Sequence, residues 1–391
     1  MIKHLFKMIW NKKKQNALLI SEMLISFLVL FAVFTLLVYY YQNYKKPMGM
    51  DYENVWVVNY NNAVQTNNTD SLSLFYETLQ HTVKSLHQVK EIGFTSNNTP
   101  FSQNTMQGGI TQNKKHVEHI NEFFADDNYA AVLNLKMSSG RWFNKQDVVA
   151  KDQPIIINKS LQKVFFGNED PVGKTLGDDH ALRIVGVVED VKVKGDYAEP
   201  GLAIYNRIDT GYLRSLGRIL INVSPDADAT FEGKLYKTLA NYMKNANIEI
   251  EHLANKRKNT NYFALVPMIV LSIVAGFLIV NVAMGLFGVL WYNINKRRGE
   301  IGLRRAVGAT GKSVSSQLVS EAMILATLSL LIGLFFAVQF PLMNVFDLSA
   351  SVYITAMVLA IVFIYLLVLI CSLYPGKQAA AIYPAVALHE E

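Results

Sequence analysis

The chain has 391 residues, 51% of them hydrophobic and only 17% charged, with a mean hydropathy of +0.18. Soluble domains average about a quarter charged residues, so the composition excludes disorder and argues against a purely soluble protein, while the hydropathy is too low for a chain lying wholly in lipid. The net charge of +6 leaves nucleic-acid binding open until the charge is located, and the lone cysteine, Cys371, excludes an intramolecular disulfide framework or a multi-cysteine metal site.

Residues 1–16 carry Leu5, Phe6, Ile9 and Trp10 among five lysines, an amphipathic pattern suited to the inner membrane surface. A first transmembrane helix is expected over residues 17–41, uncharged from Met23 to Tyr41, near the ~20 apolar residues a bilayer crossing needs. It is longer than a signal-peptide core and no small-residue cleavage site follows, so it reads as a retained anchor. A polar segment, residues 42–261, comes next. The second span, residues 262–292, is 31 residues without a charge. As helix it would measure about 46 Å, against a hydrocarbon core of about 30 Å, so it must tilt or continue beyond the bilayer. After residues 293–317, spans at 318–343 and 348–374 form a helical hairpin around Asn344–Asp347, and residues 375–391 form a tail.

Charge location fixes the expected orientation. Residues 1–16 sum to +5, residues 293–314 to +5, and the tail to −1, whereas residues 42–261 hold 25 basic and 25 acidic side chains. Positive segments remain in the cytoplasm, so both termini and the 293–317 segment are expected inside and residues 42–261 outside. The basic excess is then a topology signal, and no nucleic-acid partner is expected. Glu22 and Glu321 are read as interfacial, near the basic segments.

The exported segment has the same pattern at each end. Val55–Val58 reads as a strand; Asp70 is expected to cap a helix through Leu72, Phe75, Leu79 and Val83; Val89–Phe94 reads as a second strand. Ile219–Val223, a helix led by Asp226 or Asp228 with Leu235, Leu239 and Tyr242, and Ile248–Ile250 repeat it. The two units, about 51–95 and 216–254, suggest a split β-α-β module of ferredoxin-like plan. An insertion, about 96–215, is expected to have its own small core, with strands at Pro154–Ile157 and Ile184–Val188. Residues 59–70 and 96–115 read as loops. The fold class is therefore membrane α-helical, with four transmembrane helices and a large extracytoplasmic α+β domain made of a split β-α-β module and an inserted subdomain.

Catalytic signatures fail on inspection. A phosphate loop needs a glycine, four intervening residues and then Gly-Lys-Ser/Thr; at the first-glycine position Gly173-Lys174-Thr175 has Asn168 and Gly311-Lys312-Ser313 has Ala306. His116 and His119 flank Glu118 without further metal ligands, and Asp226 and Asp228 lack the glycine and terminal glutamate of a calcium loop. No catalytic residue, metal site or cofactor is expected, and any ATP would be bound by a partner ATPase subunit.

The segment from Lys296 interleaves Ile301, Val307 and Val314 with arginines and glycines, as a short helix with one apolar face pressed on a partner would. Glu300-Ile301-Gly302-Leu303-Arg304-Arg305-Ala306-Val307-Gly308-Ala309-Thr310 resembles the hallmark of the MacB/FtsX family of ABC transporter permeases. The tail, Tyr374-Pro375-Gly376-Lys377-Gln378-Ala379-Ala380 and Ile382 to Leu388, resembles that family's second signature, with Gly376 where alanine is usual and Glu390-Glu391 where a basic residue is often found. Gly140-Arg141-Trp142-Phe143, Phe165-Phe166-Gly167, Asp170-Pro171-Val172-Gly173-Lys174 and Val185-Gly186-Val187-Val188 resemble the family's periplasmic core domain.

The resemblance implies an inner-membrane permease subunit that works by mechanotransmission. Two permease chains, identical or related, would dimerise over a cytoplasmic ABC ATPase dimer, and spans one and two would move the periplasmic domains. Efflux through a periplasmic adaptor and an outer-membrane channel is the first expectation. A lipoprotein-releasing permease of the same fold, or a non-transporting FtsX-like regulator of an external hydrolase, is the alternative. Residues Glu300 to Thr310 are the expected ATPase-coupling site, with Glu300, Arg304 and Arg305 as polar contacts and Ile301 and Leu303 as apolar ones. Gly276, Ala283, Gly285 and Gly288 offer small surfaces for helix packing in span two.

Overall fold

The computed structural model describes residues 13–382 except 62–65, 67, 151, 179–181 and 245; the amphipathic pattern at Leu5–Trp10 and residues 383–388 of the tail signature lie outside the described residues. The chain divides into two units, Asn43–Ala264 and Met1–Gln42 with Leu265–Glu391.

In the first unit, β1 (Val55–Asn61), α2 (Thr69–Lys84) and β2 (Val89–Thr95) form one β-α-β, and β10 (Arg218–Val223), α5 (Ala229–Tyr242) and β11 (Asn247–His252) the other. The strands lie in the order β11-β1-β10-β2 with every neighbouring pair antiparallel, which is the split module the sequence suggests. β1 pairs Trp56 with Ile221 and Val57 with Leu220. Because side chains alternate across a strand, Trp56, Val58 and Ile221 face a core closed by Leu72, Leu79 and Val83 of α2 and Leu235 and Leu239 of α5. Val55, Val57 and Leu220 face a second core. Burial on both faces explains why these strands read as continuous apolar runs.

One cap assignment needs correction, and one open choice is decided. Asn68, not Asp70, caps α2, accepting from Ser71 N; Asp70 sits in the first turn. At α5 the cap is Asp228, accepting from Phe231 N.

The insertion extends the same sheet through β4 (Lys115–Ala125), β9 (Ala203–Arg207), β6 (Gln153–Asn158), β8 (Leu182–Val188) and β5 (Met137–Gly140), joined to the module where Thr95 pairs with Ala125. The expectation of a separate core holds on one face only, where Ile120, Ile155, Leu161, Ile184 and Val187 cluster. On the other, Phe123, Tyr129, Ile156 and Tyr205 share the core of Val57 and Leu220, because helix α3 (Tyr129–Leu133) crosses from the insertion onto the module. The segment read as a loop at 96–115 contains β3 (Gln107–Gln112), hairpinned to β4, and β1 runs to Asn61 into the other. The short β7 (Thr175–Leu176) pairs with β8, and α4 (Lys159–Phe166) follows β6.

Four helices, α1 (Lys13–Tyr44), α6 (Leu253–Lys296), α8 (Gly311–Leu342) and α9 (Ala350–Ala380), are each long and apolar enough to cross a membrane; residues 43–44 of α1 and 253–264 of α6 belong to the first unit and the rest to the second. α6 has 44 residues, about 66 Å at the α-helical rise, so the overlong second span resolves as one helix that also enters the sheet unit. α8 begins at Gly311 and α9 runs through Pro375 to Ala380, so the expected boundaries at 318 and 374 each fall inside a helix. Met23, Phe27 and Phe31 of α1 pack against Ala326 and Leu330 of α8 and Ala360 and Ile364 of α9, whereas α6 buries only Ala275, Val282 and Leu286 in this core. Of the small residues expected to pack, Gly285 meets α1: a Cβ there would lie 2.6 Å from Glu22 Oε2. A Cβ at Gly276 or Gly288 would meet nothing within 4 Å among the described residues, because they face away from the bundle. Glu22 is thus packed against a helix, one carboxylate oxygen buried without a hydrogen-bond partner among the described residues.

Candidate functional site

The helix α6 ends at Lys296, Arg297 breaks the helical path, and a short helix α7 (Arg298–Ala306) follows. Gly308, at φ +102°, reverses the chain in the left-handed region that favours glycine, and the Thr310 side chain accepts from Ser313 N to cap α8. These local signals deliver residues 300–310 as a helix and a turn held against the ends of α8 and α9.

Five side chains join in a closed polar ring around α7. Arg297 reaches Glu300 at 3.0 Å and Glu321 at 3.3 Å. Glu300 pairs with Arg304 at 2.6 Å, Arg304 donates to Gln317 at 2.9 Å, and Gln317 donates to Glu321 at 3.2 Å. Arg305 donates to the carbonyl of Ala380 at the end of α9. Glu300, Arg304 and Arg305, expected as outward contacts, are therefore engaged within the chain. The helical spacings 297/300/304 and 317/321 are visible in sequence, but the pairing of one helix with the other is not. Glu321 is interfacial between helices, not merely near the basic segment.

The apolar set divides the same way. Ile301 is buried with Ile294, Val314, Leu318 and Ala379, and Gly302 is buried beside it. Leu303 is 56% exposed and Val307 82% exposed, and Ala306 lies exposed between them. Of the two apolar contacts expected, Ile301 faces inward and Leu303 outward, since positions 301 and 303 fall on different sides of a helix. Leu303, Ala306 and Val307, spaced i, i+3, i+4, form the free apolar edge of α7. Ala309 and Thr310 belong to the turn into α8.

The other candidate motifs have structural roles. Gly173 turns at φ +85° and donates its amide to Ile184 O at 2.8 Å, while Lys174 pairs with Glu169 at 2.6 Å. Gly140, at φ +66°, passes so close to β8 that a Cβ would lie 2.4 Å from Val185 O. After it, Arg141 grips Asp147 with two bonds of 2.7 Å, and Trp142 stacks on Tyr129. His116 pairs with Glu118 at 3.3 Å on the surface.

Two family models cover most of the chain. The MacB-like periplasmic core domain matches residues 17–234, and the FtsX-like permease C-terminal matches residues 272–384, α7 included. The chain belongs to the MacB-like ABC transporter permeases. The MacB-like permease is 27% identical to the macrolide export ATP-binding/permease protein MacB of Aggregatibacter actinomycetemcomitans over 243 residues, 59% of this chain and 37% of that protein. With the protein of the same name from Pasteurella multocida it shares 28% over 276 residues, 66% of this chain and 41% of that one. It thus spans less than half the length of these curated relatives. The uncharacterized ABC transporter permease YvrN of Bacillus subtilis is 21% identical over 301 residues, 73% of this chain and 74% of that one. Among solved structures, the periplasmic region of MacB from Actinobacillus actinomycetemcomitans aligns at 18% identity and a TM-score of 0.39, covering 56% of this chain and 98% of that one.

Proposed function

We propose that this MacB-like permease is a mechanotransmission subunit, driven by a separate ABC ATPase that docks on α7 and moves the sheet unit for export. The observation that carries this reading is the outward edge Leu303–Ala306–Val307, left exposed while the cations around it are tied to the permease's own helices. A small apolar knob on a pinned helix suits a groove in a partner that pushes as a rigid body. The basic excess of residues 1–16 and 293–314 supports a cytoplasmic α7, both termini inside and the sheet unit outside, in the periplasm. ATP is bound by the partner; this chain holds no cofactor of its own.

A second permease chain, identical or related, completes the assembly. The bare face of α6, with Gly276 and Gly288 open and Ile273, Phe277 and Met284 exposed, supports such a neighbour. The curated relatives named for macrolide export favour efflux, with a periplasmic adaptor and an outer-membrane channel as further partners. The test is purification in mild detergent with mass spectrometry of what accompanies the chain, followed by ATPase assays in lipid. An ATPase and an adaptor support efflux; a lipoprotein carrier or a cell-wall hydrolase redirects the reading to extraction or regulation. Absence of any ATPase overturns it.

A further inference from the structure

The end of α1 and the start of α6 both meet one loop of the inserted subdomain, residues 191–199 between β8 and β9. Lys192 is 1% exposed. Its ammonium donates to the carbonyl of Asn43 in the last turn of α1, and at 3.1 Å to Asp196 O. A cation at a helix C-terminus meets the negative end of the helix dipole and the carbonyls left without intrahelical donors. Asn43 returns a bond to Tyr197 O at 3.3 Å, and Tyr44 stacks on Tyr197.

On the other side, Asp196 holds the first turns of α6. Arg257 donates to both its carboxylate oxygens, at 2.8 and 2.6 Å, and Asn261 donates to it at 2.8 Å. Asn261 also accepts from the Asp196 amide at 2.8 Å. Gly195, at φ +90°, makes this approach possible: a Cβ there would lie 2.6 Å from Asn261 Oδ1. Arg257 is further fixed over the ring of Tyr52, 4.4 Å from its centroid. The loop itself is rooted in the insertion, since Asp190 accepts from Asn158 at 2.6 Å and from the Ser160 hydroxyl at 2.7 Å.

The split module needs no such fastening. β11 ends at His252 and α6 begins at Leu253, and β1 follows α1 after a short connection, so the module is joined covalently to both helices. The insertion is not joined to them covalently; it reaches both through loop 191–199, and α6 also through Phe101, whose carbonyl accepts from the Thr260 hydroxyl at 3.3 Å, and through the core that Phe101 shares with Leu253. We propose that Lys192 and Asp196 are positioning residues that tie the inserted subdomain to both membrane helices, so that it moves with them. The moving part of this inference rests on the mechanotransmission reading; the tie itself does not.

The test uses the full chain carrying Cys371→Ser, spin-labelled in pairs at exposed positions, with distances read by double electron–electron resonance. One pair, Asn259→Cys with Lys163→Cys, spans α6 and the insertion; the other, Asn259→Cys with Lys237→Cys, spans α6 and the module. Lys192→Met and Asp196→Ala are expected to broaden the distance of the first pair, within the limit set by the shared core, and to leave the second narrow. A first pair that stays narrow overturns the tie, and broadening of both pairs overturns it as well, because the loop would then support the whole unit. A second measurement labels Lys163→Cys alone in the assembly of two permease chains with the ATPase, trapped with ATP and vanadate. The distance between chains is expected to shift in the otherwise unsubstituted protein and to lose that shift in Lys192→Met. An equal shift in both overturns the tie's role in motion. No shift in the unsubstituted protein overturns the mechanotransmission reading, and the tie is then decided by the first measurement.

Discussion

Arg297, in the break between α6 and α7, places its Nη1 3.3 Å from Glu321 Oε1 on α8. The two side chains are 16% and 14% exposed, so the pair is shielded enough to differ from a solvated surface contact. It fixes α7 at the point where the chain leaves the long helix. Arg297→Ala should weaken the local structure by about 1–2 kcal/mol, raising amide exchange over residues 298–306 roughly tenfold. Exchange measured by mass spectrometry on the full chain decides this; unchanged protection would mean that Ile301 packing alone holds α7.

Leu303→Asp with Val307→Asp alters only the exposed edge. Stability should change by less than about 0.5 kcal/mol per site, whereas ATPase association should weaken by about tenfold or more, as truncation of a central apolar anchor does. Co-purification and ATP turnover in reconstituted membranes measure it. Retained association would place the docking contact elsewhere.

Asp126 gives the sheet unit a pH dependence. Burial raises its carboxyl from 3.8 to about 7, partly opposed by hydrogen bonds from the amides of Phe94 and Asn128. The folded state therefore binds a proton more tightly than the unfolded chain. The resulting stability is full below 3.8 and is lost as pH rises through about 7. Asp126→Asn should flatten this contribution, so the difference in thermal midpoint between variant and parent should grow between about pH 4 and pH 7 and level off above. A constant difference across that range would refute the assignment.

Leu239, fully buried between α5 and the sheet, should cost about 2–5 kcal/mol when changed to alanine, through lost transfer energy and a residual cavity. Amide protection in β10, residues 219–223, reports it. A cost near zero would mean that the two helices of the module collapse onto the gap.

Both β-α-β units were readable because period-2 and period-3.6 patterns survive in a linear string, as in Val55–Val58 against Leu72, Leu79 and Val83. The caps were readable only to within a few residues, since Asn68 and Asp70 offer the same chemistry and local geometry chooses between them. Leu303 was identified as a contact and Ile301 was assigned the same role, because apolarity in a basic helix does not reveal which side faces the protein. The ring of Arg297, Glu300, Arg304, Gln317 and Glu321 joins α8 to the segment 297–304 across the intervening turn, and only its halves obey helical spacing. Nothing in Lys192 or Asp196 distinguished them from other charges of the neutral segment.

By itself, then, the sequence determined the four apolar spans, the uneven distribution of charge between the segments, the split module and the permease family. Each is a property of composition or short period, which a chain carries whether or not it is folded. The tertiary structure decided what each charge does. A charge's role depends on the partner at hydrogen-bond distance and on its exclusion from water, and both are properties of residues far apart in the chain. Thus Arg304 is a strut on Gln317, Lys192 caps a helix that ends at Tyr44, and the apolar edge that α7 leaves exposed is Leu303, Ala306 and Val307.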